Sequence, residues 1–139
     1  HAGQISFPGG KFETSDASLV HTALREAEEE IGLSPDKVRV LGTLPEYKTI
    51  SGFAVLPVIG ILDESVDLET DLTIDQNEVS RIFQVPLSHL MNQQNYFVHH
   101  AERRKQSFPI YFIQYGNDVI WGATAGMTAL LCQHIDFYS

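Results

Sequence analysis

Four glutamates crowd into five consecutive positions of the segment LREAEEEIGL, residues 24–33, directly after a single arginine, Arg25. Like charges one helical turn apart repel each other and destabilise a helix by roughly a few tenths of a kcal/mol per pair. Such a cluster therefore requires either a cation that joins the carboxylates or free access to water. The four residues are Glu26, Glu28, Glu29 and Glu30.

Helical geometry separates these glutamates into two groups. At ~100° per residue, Glu26, Glu29 and Glu30 fall within an arc of about 100° beside the apolar stripe, whereas Glu28 falls on the other side. Hard oxygen ligands grouped in this way suit Mg²⁺ or Mn²⁺. Arg25 lies about 40° from Glu29 on the same wheel, in position to hold that carboxylate. The helix alone leaves two interpretations open, a metal site and a solvated acidic face.

The elements that position this cluster follow from local signals. Apolar residues at helical spacing predict a helix over residues 17–31, with Asp16 as its N-cap and Gly32 at its end. Upstream, residues 4–7 (QISF) read as a short strand that ends at the turn formed by Gly9 and Gly10. The glutamates would then occupy the last turns of a helix that follows a glycine turn.

The rest of the chain mixes strands and helices without strict alternation, which predicts an α/β sandwich with a mixed sheet. The run 52–62 is almost continuously apolar and suggests a central strand, although Pro57 weakens that placement. A hairpin is expected around the basic stretch Arg103, Arg104 and Lys105. The predicted strands are 37–47, 52–62, 78–85, 96–102 and 108–115, and the further helices are 86–91 and 124–135.

Composition narrows the class of protein. The 139 residues fit one domain, 1–139, and 43% hydrophobic residues suffice for a core. A net charge of −9 argues against a nucleic-acid binder, and no apolar run suggests a membrane span. The single cysteine, Cys132, fits a reducing cytoplasm and a small core position. Because the sequence opens at His1 without an initiator methionine, we expect strands of the domain to precede it.

Residues 9–33 resemble the signature of Nudix hydrolases. The family pattern, Arg-Glu, a small or apolar residue, any residue, Glu-Glu, any residue, Gly and an apolar residue, is matched throughout from Arg25 to Leu33. The resemblance implies that Glu26, Glu29 and Glu30 hold Mg²⁺ or Mn²⁺ on a helix packed against a mixed sheet. It also implies hydrolysis of a nucleoside diphosphate linked to another group. The chain departs from the pattern where the family carries an earlier glutamate, since that count lands on Asp16.

A narrower resemblance points to the branch of coenzyme A diphosphatases, which shares the longer loop and an upstream Gly, three residues, then Phe-Pro-Gly-Gly. The matching residues are Gly3, Phe7, Pro8, Gly9 and Gly10. This resemblance implies cleavage of coenzyme A to 3′,5′-ADP and 4′-phosphopantetheine. One alternative is a Nudix hydrolase with another substrate, such as ADP-ribose, NADH or a dinucleoside polyphosphate. Two further alternatives are a regulatory nucleotide-binding module without catalysis and a plain acidic interaction helix. A homodimer is compatible with the sequence.

Roles for the other residues follow from the resemblance together with their chemistry. Glu29 and Glu78 are the two candidates for the general base, and Glu78 reads equally well as a surface acid. Gly9 and Gly10 would approach a substrate phosphate or only form a turn.

The basic residues Arg103 and Arg104 would meet the 3′-phosphate of coenzyme A, or form a solvated hairpin tip. Adjacent residues of a strand point to opposite sides, so His99 and His100 are poorly placed to share a metal and are expected to be ordinary residues. Trp121 is expected in the core.

Overall fold

The computed structural model of the protein describes residues 4–138 and contains three α-helices and seven β-strands within that range. Two short 3₁₀ turns, Pro35–Lys37 and Gln93–Asn95, connect them. The helices are α1 (Leu19–Ile31), α2 (Leu87–Met91) and α3 (Ala123–Tyr138). The strands are β1 (Val38–Thr43), β2 (Tyr47–Lys48), β3 (Ala54–Val55), β4 (Val58–Leu62), β5 (Tyr96–Arg103), β6 (Gln106–Tyr115) and β7 (Asp118–Trp121).

Helix α1 begins two residues later than its sequence predicted. Its N-cap is Ser18, whose Oγ accepts a hydrogen bond of 3.1 Å from the backbone N–H of His21. The prediction of Asp16 as N-cap is wrong, because the Asp16 carboxylate turns to Arg25 instead. The C-terminal prediction is confirmed, since Gly32 adopts the left-handed conformation with φ of 70° and donates to the Glu28 carbonyl.

Strands β5, β6 and β7 form one antiparallel sheet. The predicted hairpin is confirmed: Arg103 pairs with Gln106 around a two-residue turn. Strand β7 was not predicted, although Gly116-Asn117 between Tyr115 and Asp118 is a two-residue turn of a kind that favours hairpins.

The apolar run 52–62 is not one central strand. Pro57 divides it into β3, which pairs with β2, and β4, which pairs with β1. The division has a physical cause, because proline has no N–H to offer a ladder. The Pro57 carbonyl instead accepts a hydrogen bond of 3.0 Å from the backbone N–H of the buried Leu44.

Two other predicted strands are also wrong. Residues 78–85 begin in a turn, where the backbone N–H groups of Glu78 and Val79 both donate to the Asp75 carbonyl and are lost to any ladder. Residues 4–7 lie in an irregular segment. This segment contacts α3 through a hydrogen bond of 2.9 Å that Thr124 Oγ1 donates to the Ile5 carbonyl.

The core lies where α3 covers one face of the β5–β6–β7 sheet. Ile113, Ile120 and Ala125 are buried there. The prediction that Trp121 is a core residue is wrong: its side chain is 45% exposed and stacks on Phe112 on the opposite face. The α/β class is confirmed, and every strand pair within residues 4–138 is antiparallel. None of the helices in that range has the length and apolar character needed to cross a membrane.

Candidate active site

The last turns of α1 bring two carboxyl groups together beside the glycine turn. The carboxyl groups of Glu26 and Glu30 lie close enough to interact, and the backbone N–H of Gly9 lies beside Glu30. Burial raises the pKa of Glu30 to about 7, helped by the contact with Glu26 and opposed by the Gly9 N–H. Repulsion from the charges of Glu26 and Glu78 adds to the rise in pKa. Two carboxyl groups held this close repel each other unless a proton or a cation joins them.

Gly10 leaves the space that the Glu26 carboxylate occupies. A Cβ at position 10 would lie 2.5 Å from Glu26 Cδ and 2.6 Å from Oε1, well inside van der Waals contact. A side chain at position 10 would therefore displace the carboxylate. The two glycines were predicted to approach a substrate phosphate; in the structure they contact Glu30 and Glu26.

Arg25 contacts the glutamates and the loop before the helix at once. Its Nη1 lies 2.9 Å from Glu26 Oε1 and 3.2 Å from Glu29 Oε2. Its Nε lies 2.8 Å from Asp16 Oδ1, and its Nη2 donates to Asp16 Oδ2 and to the Lys11 carbonyl, both at 3.1 Å. The planar guanidinium thus fixes the loop and two of the three clustered carboxylates in one arrangement.

Asp16 is the residue whose role the sequence did not reveal. It is only 6% exposed and accepts hydrogen bonds from Thr22 Oγ1 and the Glu13 N–H, both at 2.9 Å, as well as from Arg25. The Arg25 guanidinium beside it, with the Glu13 N–H, holds the pKa of Asp16 well below its usual range. The bidentate contact raises the pKa of Arg25 in turn. A buried, ion-paired carboxylate nine residues before its partner carries no periodic signal in the sequence.

Glu78 reaches the site through the segment 73–79, which lies against the end of α1. The backbone N–H of Thr73 donates to the Ile31 carbonyl, and that of Asp75 donates to the Glu30 carbonyl, both at 3.0 Å. Gly32 permits this approach, since a Cβ there would lie 2.8 Å from Thr73 N. The turn at Asp75 then places Glu78 close enough for its charge to act on Glu30.

The three carboxylates of the predicted metal site are arranged unequally. Glu26 and Glu30 meet, whereas the side chain of Glu29 is 59% exposed and contacts Arg25. Within residues 4–138, no three acidic, histidine or cysteine side chains already converge on one point as a metal would require. The donors nevertheless fit a hard divalent cation, because Glu26 and Glu30 bring carboxylate oxygens together and a cation between them would relieve their repulsion.

The basic hairpin tip stands apart from these glutamates. Arg103 Nη1 donates to the Ile50 carbonyl at 3.1 Å, which joins the tip to the β2–β3 loop. Arg104 and Lys105 form the turn with positive φ values of 53° and 64°. His99 and His100 are exposed neighbours in β5.

Comparison with known proteins identifies the family. A family model described as NUDIX domain matches residues 1–107, which include the glycine turn and all of α1. The chain belongs to the Nudix family. Members are hydrolases that act on small nucleotide substrates and generally need divalent metal ions. The chain is thus a pyrophosphohydrolase of the Nudix type.

Several curated relatives resemble this Nudix chain along nearly its whole length. A protein named Uncharacterized Nudix hydrolase NudL from Pectobacterium atrosepticum is 37% identical over 135 residues, which cover 97% of this chain and 68% of the relative. The proteins of the same name from Photorhabdus laumondii and Citrobacter koseri are 39% and 38% identical over 135 residues, covering 97% of this chain and 70% and 68% of the relatives.

Proposed function

We propose that the protein hydrolyses the pyrophosphate bond of coenzyme A or its acyl derivatives. Water adds across the bond and the products are 3′,5′-ADP and 4′-phosphopantetheine, or its acyl form. The assignment as a pyrophosphatase is supported by the contacts among Arg25, Glu26 and Glu30 at the glycine turn. The substrate assignment is supported by the resemblance of the segment from Gly3 to Gly10 and by the cations at the hairpin tip. Gly3 itself lies outside the described residues.

Mg²⁺ or Mn²⁺ would be held by Glu26, Glu29 and Glu30. When bound, the cation supplies neutralisation of phosphate charge and acidification of water. Arg25 keeps Glu26 and Glu29 in place through its two Nη1 contacts, so that neither carboxylate has to be ordered when the ion arrives. The segment 73–79 holds Glu78 beside Glu30.

The chain offers two carboxylates for removing the proton of the attacking water. The Glu29 side chain is 59% exposed, and its carboxylate is held by Arg25 Nη1 at 3.2 Å, which suits a fixed metal ligand. Glu78 is exposed to solvent and lies close enough to Glu30 for its charge to act there, so it can meet a water molecule at the site. We propose Glu78 as the base and Glu29 as a metal ligand. Phosphoryl transfer depends more on positioning than on covalent help, so no nucleophilic side chain is required.

The test is turnover of a substrate panel with Mg²⁺ and with Mn²⁺. Coenzyme A, acyl-coenzyme A, ADP-ribose, NADH and a dinucleoside polyphosphate are compared by kcat/KM, and the products are identified by chromatography. We expect a preference of at least about tenfold for coenzyme A or its acyl form. A comparable preference for ADP-ribose would overturn the substrate assignment but would be consistent with pyrophosphatase activity.

The residue assignments are tested with charge-removing variants. Glu29→Gln and Glu30→Gln should each lower kcat by about 10²-fold or more, because each removes a ligand. The matched control is Glu28→Gln, whose exposed side chain lies on the other side of α1 and should leave kcat within about twofold. Glu78→Gln should lower kcat and remove the acid limb of the pH–rate profile, whereas Glu29→Gln should keep that limb. An active Glu29→Gln, Glu30→Gln double variant would remove both residues from the mechanism.

A further inference from the structure

A cavity of ≈ 390 Å³ lies between β2, β6 and α3. Among the described residues, those lining it come from 45–50, 108–111 and 126–133, so neither α1 nor the glycine turn contributes to it. Its position is therefore distinct from that of the glutamates. Its size suits one part of a nucleotide rather than a whole coenzyme.

The walls of this cavity combine aromatic and apolar side chains with polar ones. Tyr47, Tyr111 and Phe108 line it, and the Tyr47 ring lies directly on the α3 backbone at Gly126. A Cβ at position 126 would lie only 2.6 Å from Tyr47 Cζ. Glycine at this position therefore allows the Tyr47 ring to pack against the backbone of α3. Burial raises the pKa of Tyr47, with Tyr111 close by. Rings held in this way offer a stacking surface to a planar base.

The rim of the cavity is charged. Lys48 and Glu46 line it, and Ile50, which also lines it, accepts the hydrogen bond from Arg103. That bond uses one of the five N–H groups of the guanidinium and leaves the others for an anion. Two cations, Lys48 in the lining and Arg103 bonded to the lining residue Ile50, thus lie close to the cavity in a protein with a net charge of −9.

The two residues at the tip of the β5–β6 hairpin are both cationic, and both adopt an unfavourable backbone conformation. Arg104 and Lys105 both have φ values in the left-handed region, which is unfavourable for a residue with a Cβ. Asn-Gly is the usual solution for such a two-residue turn. Sparsely populated backbone conformations gather at ligand-binding positions, and two adjacent cations held in this way fit recognition of an anion.

We propose that this cavity binds the phosphorylated nucleoside end of the substrate. The base stacks on the tyrosine rings, and a phosphate monoester on the ribose is held by Lys48 and Arg103. The inference rests on the proposed function, since it assigns a place to a substrate that carries a phosphate monoester besides its pyrophosphate.

The experiment measures binding by calorimetry in EDTA, without divalent ions, so that the glutamate site contributes little. The probes are adenosine 3′,5′-bisphosphate and adenosine 5′-monophosphate. Arg103→Ala should weaken binding of the bisphosphate by about tenfold and change that of the monophosphate much less. The matched control is Arg39→Ala, which removes an exposed guanidinium from β1 and should change neither.

A second variant tests the wall of the cavity without removing charge. Gly126→Ala should weaken both probes by about tenfold, since the added methyl displaces Tyr47, while alanine suits the interior of α3 better than glycine does. The proposal is overturned if neither probe binds, if Arg103→Ala and Arg39→Ala act alike, or if Gly126→Ala binds both probes as the wild type does.

Turnover of coenzyme A by the same variants separates this proposal from the preceding one. If Arg103→Ala and Gly126→Ala keep the wild-type kcat/KM, the cavity is not the nucleoside site, and the proposed function stands. If the bisphosphate binds as described but coenzyme A is not hydrolysed, the proposed function fails and the binding site stands.

Discussion

At the scale of single residues, the site depends on contacts that carry no periodic signal. The clustering of glutamates is visible in the sequence because 3.6-residue geometry places positions 26 and 30 on one face. The same spacing predicts the contact of Arg25 with Glu29, whereas the burial of Asp16 against this guanidinium depends on the path of the loop before α1. Short-range spacing could not predict the latter contact, since it joins a loop residue to the helix.

The fit between Gly10 and Glu26 gives the first prediction. Gly10→Ala should lower kcat/KM by about 10²-fold, because its methyl group would displace the Glu26 carboxylate, and small misplacements of catalytic groups are costly. Steady-state kinetics with saturating Mn²⁺ measure the effect. Gly9→Ala is the comparison: nothing lies within 4 Å of a Cβ at position 9, and alanine keeps the backbone N–H beside Glu30, so the loss of kcat/KM should be clearly smaller. Equal losses would refute the steric explanation.

The buried ion pair of Asp16 predicts a dependence of stability on acid. Because its pKa is lowered in the folded protein, the carboxylate stabilises the fold fully above its unfolded pKa, about 3.9, and loses this effect as the pH falls toward the folded pKa. Asp16→Asn should therefore unfold at lower urea concentration than the wild type at pH 6, and the difference should shrink below pH ~4.

Urea unfolding at a series of pH values measures this difference. Asp36→Asn, at an exposed acidic residue, is the control and should match the wild type throughout. A difference between Asp16→Asn and the wild type that stays constant down to pH ~3 would mean that the amide itself packs badly and that the charge is not responsible.

At the scale of elements, the sequence predicted those helices and hairpins whose structure depends on interactions between nearby residues. Helix α1, its glycine stop and the β5–β6 hairpin are all specified within a few residues of sequence and are confirmed. Residues 4–7 and 78–85 have strand-like composition, but their backbone groups find partners in α3 and in a turn. Their structure is set by tertiary contacts, which propensity does not encode.

The contact between Gly32 and Thr73 joins the end of α1 to the segment that carries Glu78, and it predicts a measurable cost. Gly32→Ala should reduce the free energy of unfolding through both the left-handed φ of 70° and the collision with Thr73. Gly116→Ala is the matched control, because Gly116 has a similar φ of 58° and a Cβ there would have no atom within 4 Å. This variant should therefore show the cost of the backbone conformation without a collision. We expect Gly32→Ala to be more destabilising by about 1–3 kcal/mol in denaturant unfolding. Equal effects would show that the segment does not rest on the helix end.

At the scale of the whole molecule, buried apolar side chains are concentrated around one sheet. Ile113, Ile120 and Ala125 are buried where α3 covers β6 and β7. The β2–β3 pair is only two residues long, and none of its four residues is fully buried. The stability of local regions follows buried apolar contact, so the two regions should open independently.

Hydrogen exchange tests this unequal distribution. Amides of β6, β7 and the first half of α3 should exchange at least about 10²-fold more slowly than those of β2 and β3. Mass spectrometry of peptic fragments, or nuclear magnetic resonance, resolves the two groups. Equal protection of β2–β3 and β6–β7 would mean that the fold opens as one cooperative unit.

Trp121 gives the molecule a single optical reporter. It is the sole tryptophan of the 139 residues, it is 45% exposed, and its ring stacks on Phe112 with centroids 6.3 Å apart. Native fluorescence emission should accordingly lie to the red of that of a fully buried indole, and Phe112→Ala should shift it further toward that of free tryptophan. Any molecule that covers this face of β5–β6–β7 should shift the emission to the blue, so titrations of the unlabelled protein can follow events at the sheet without a dye.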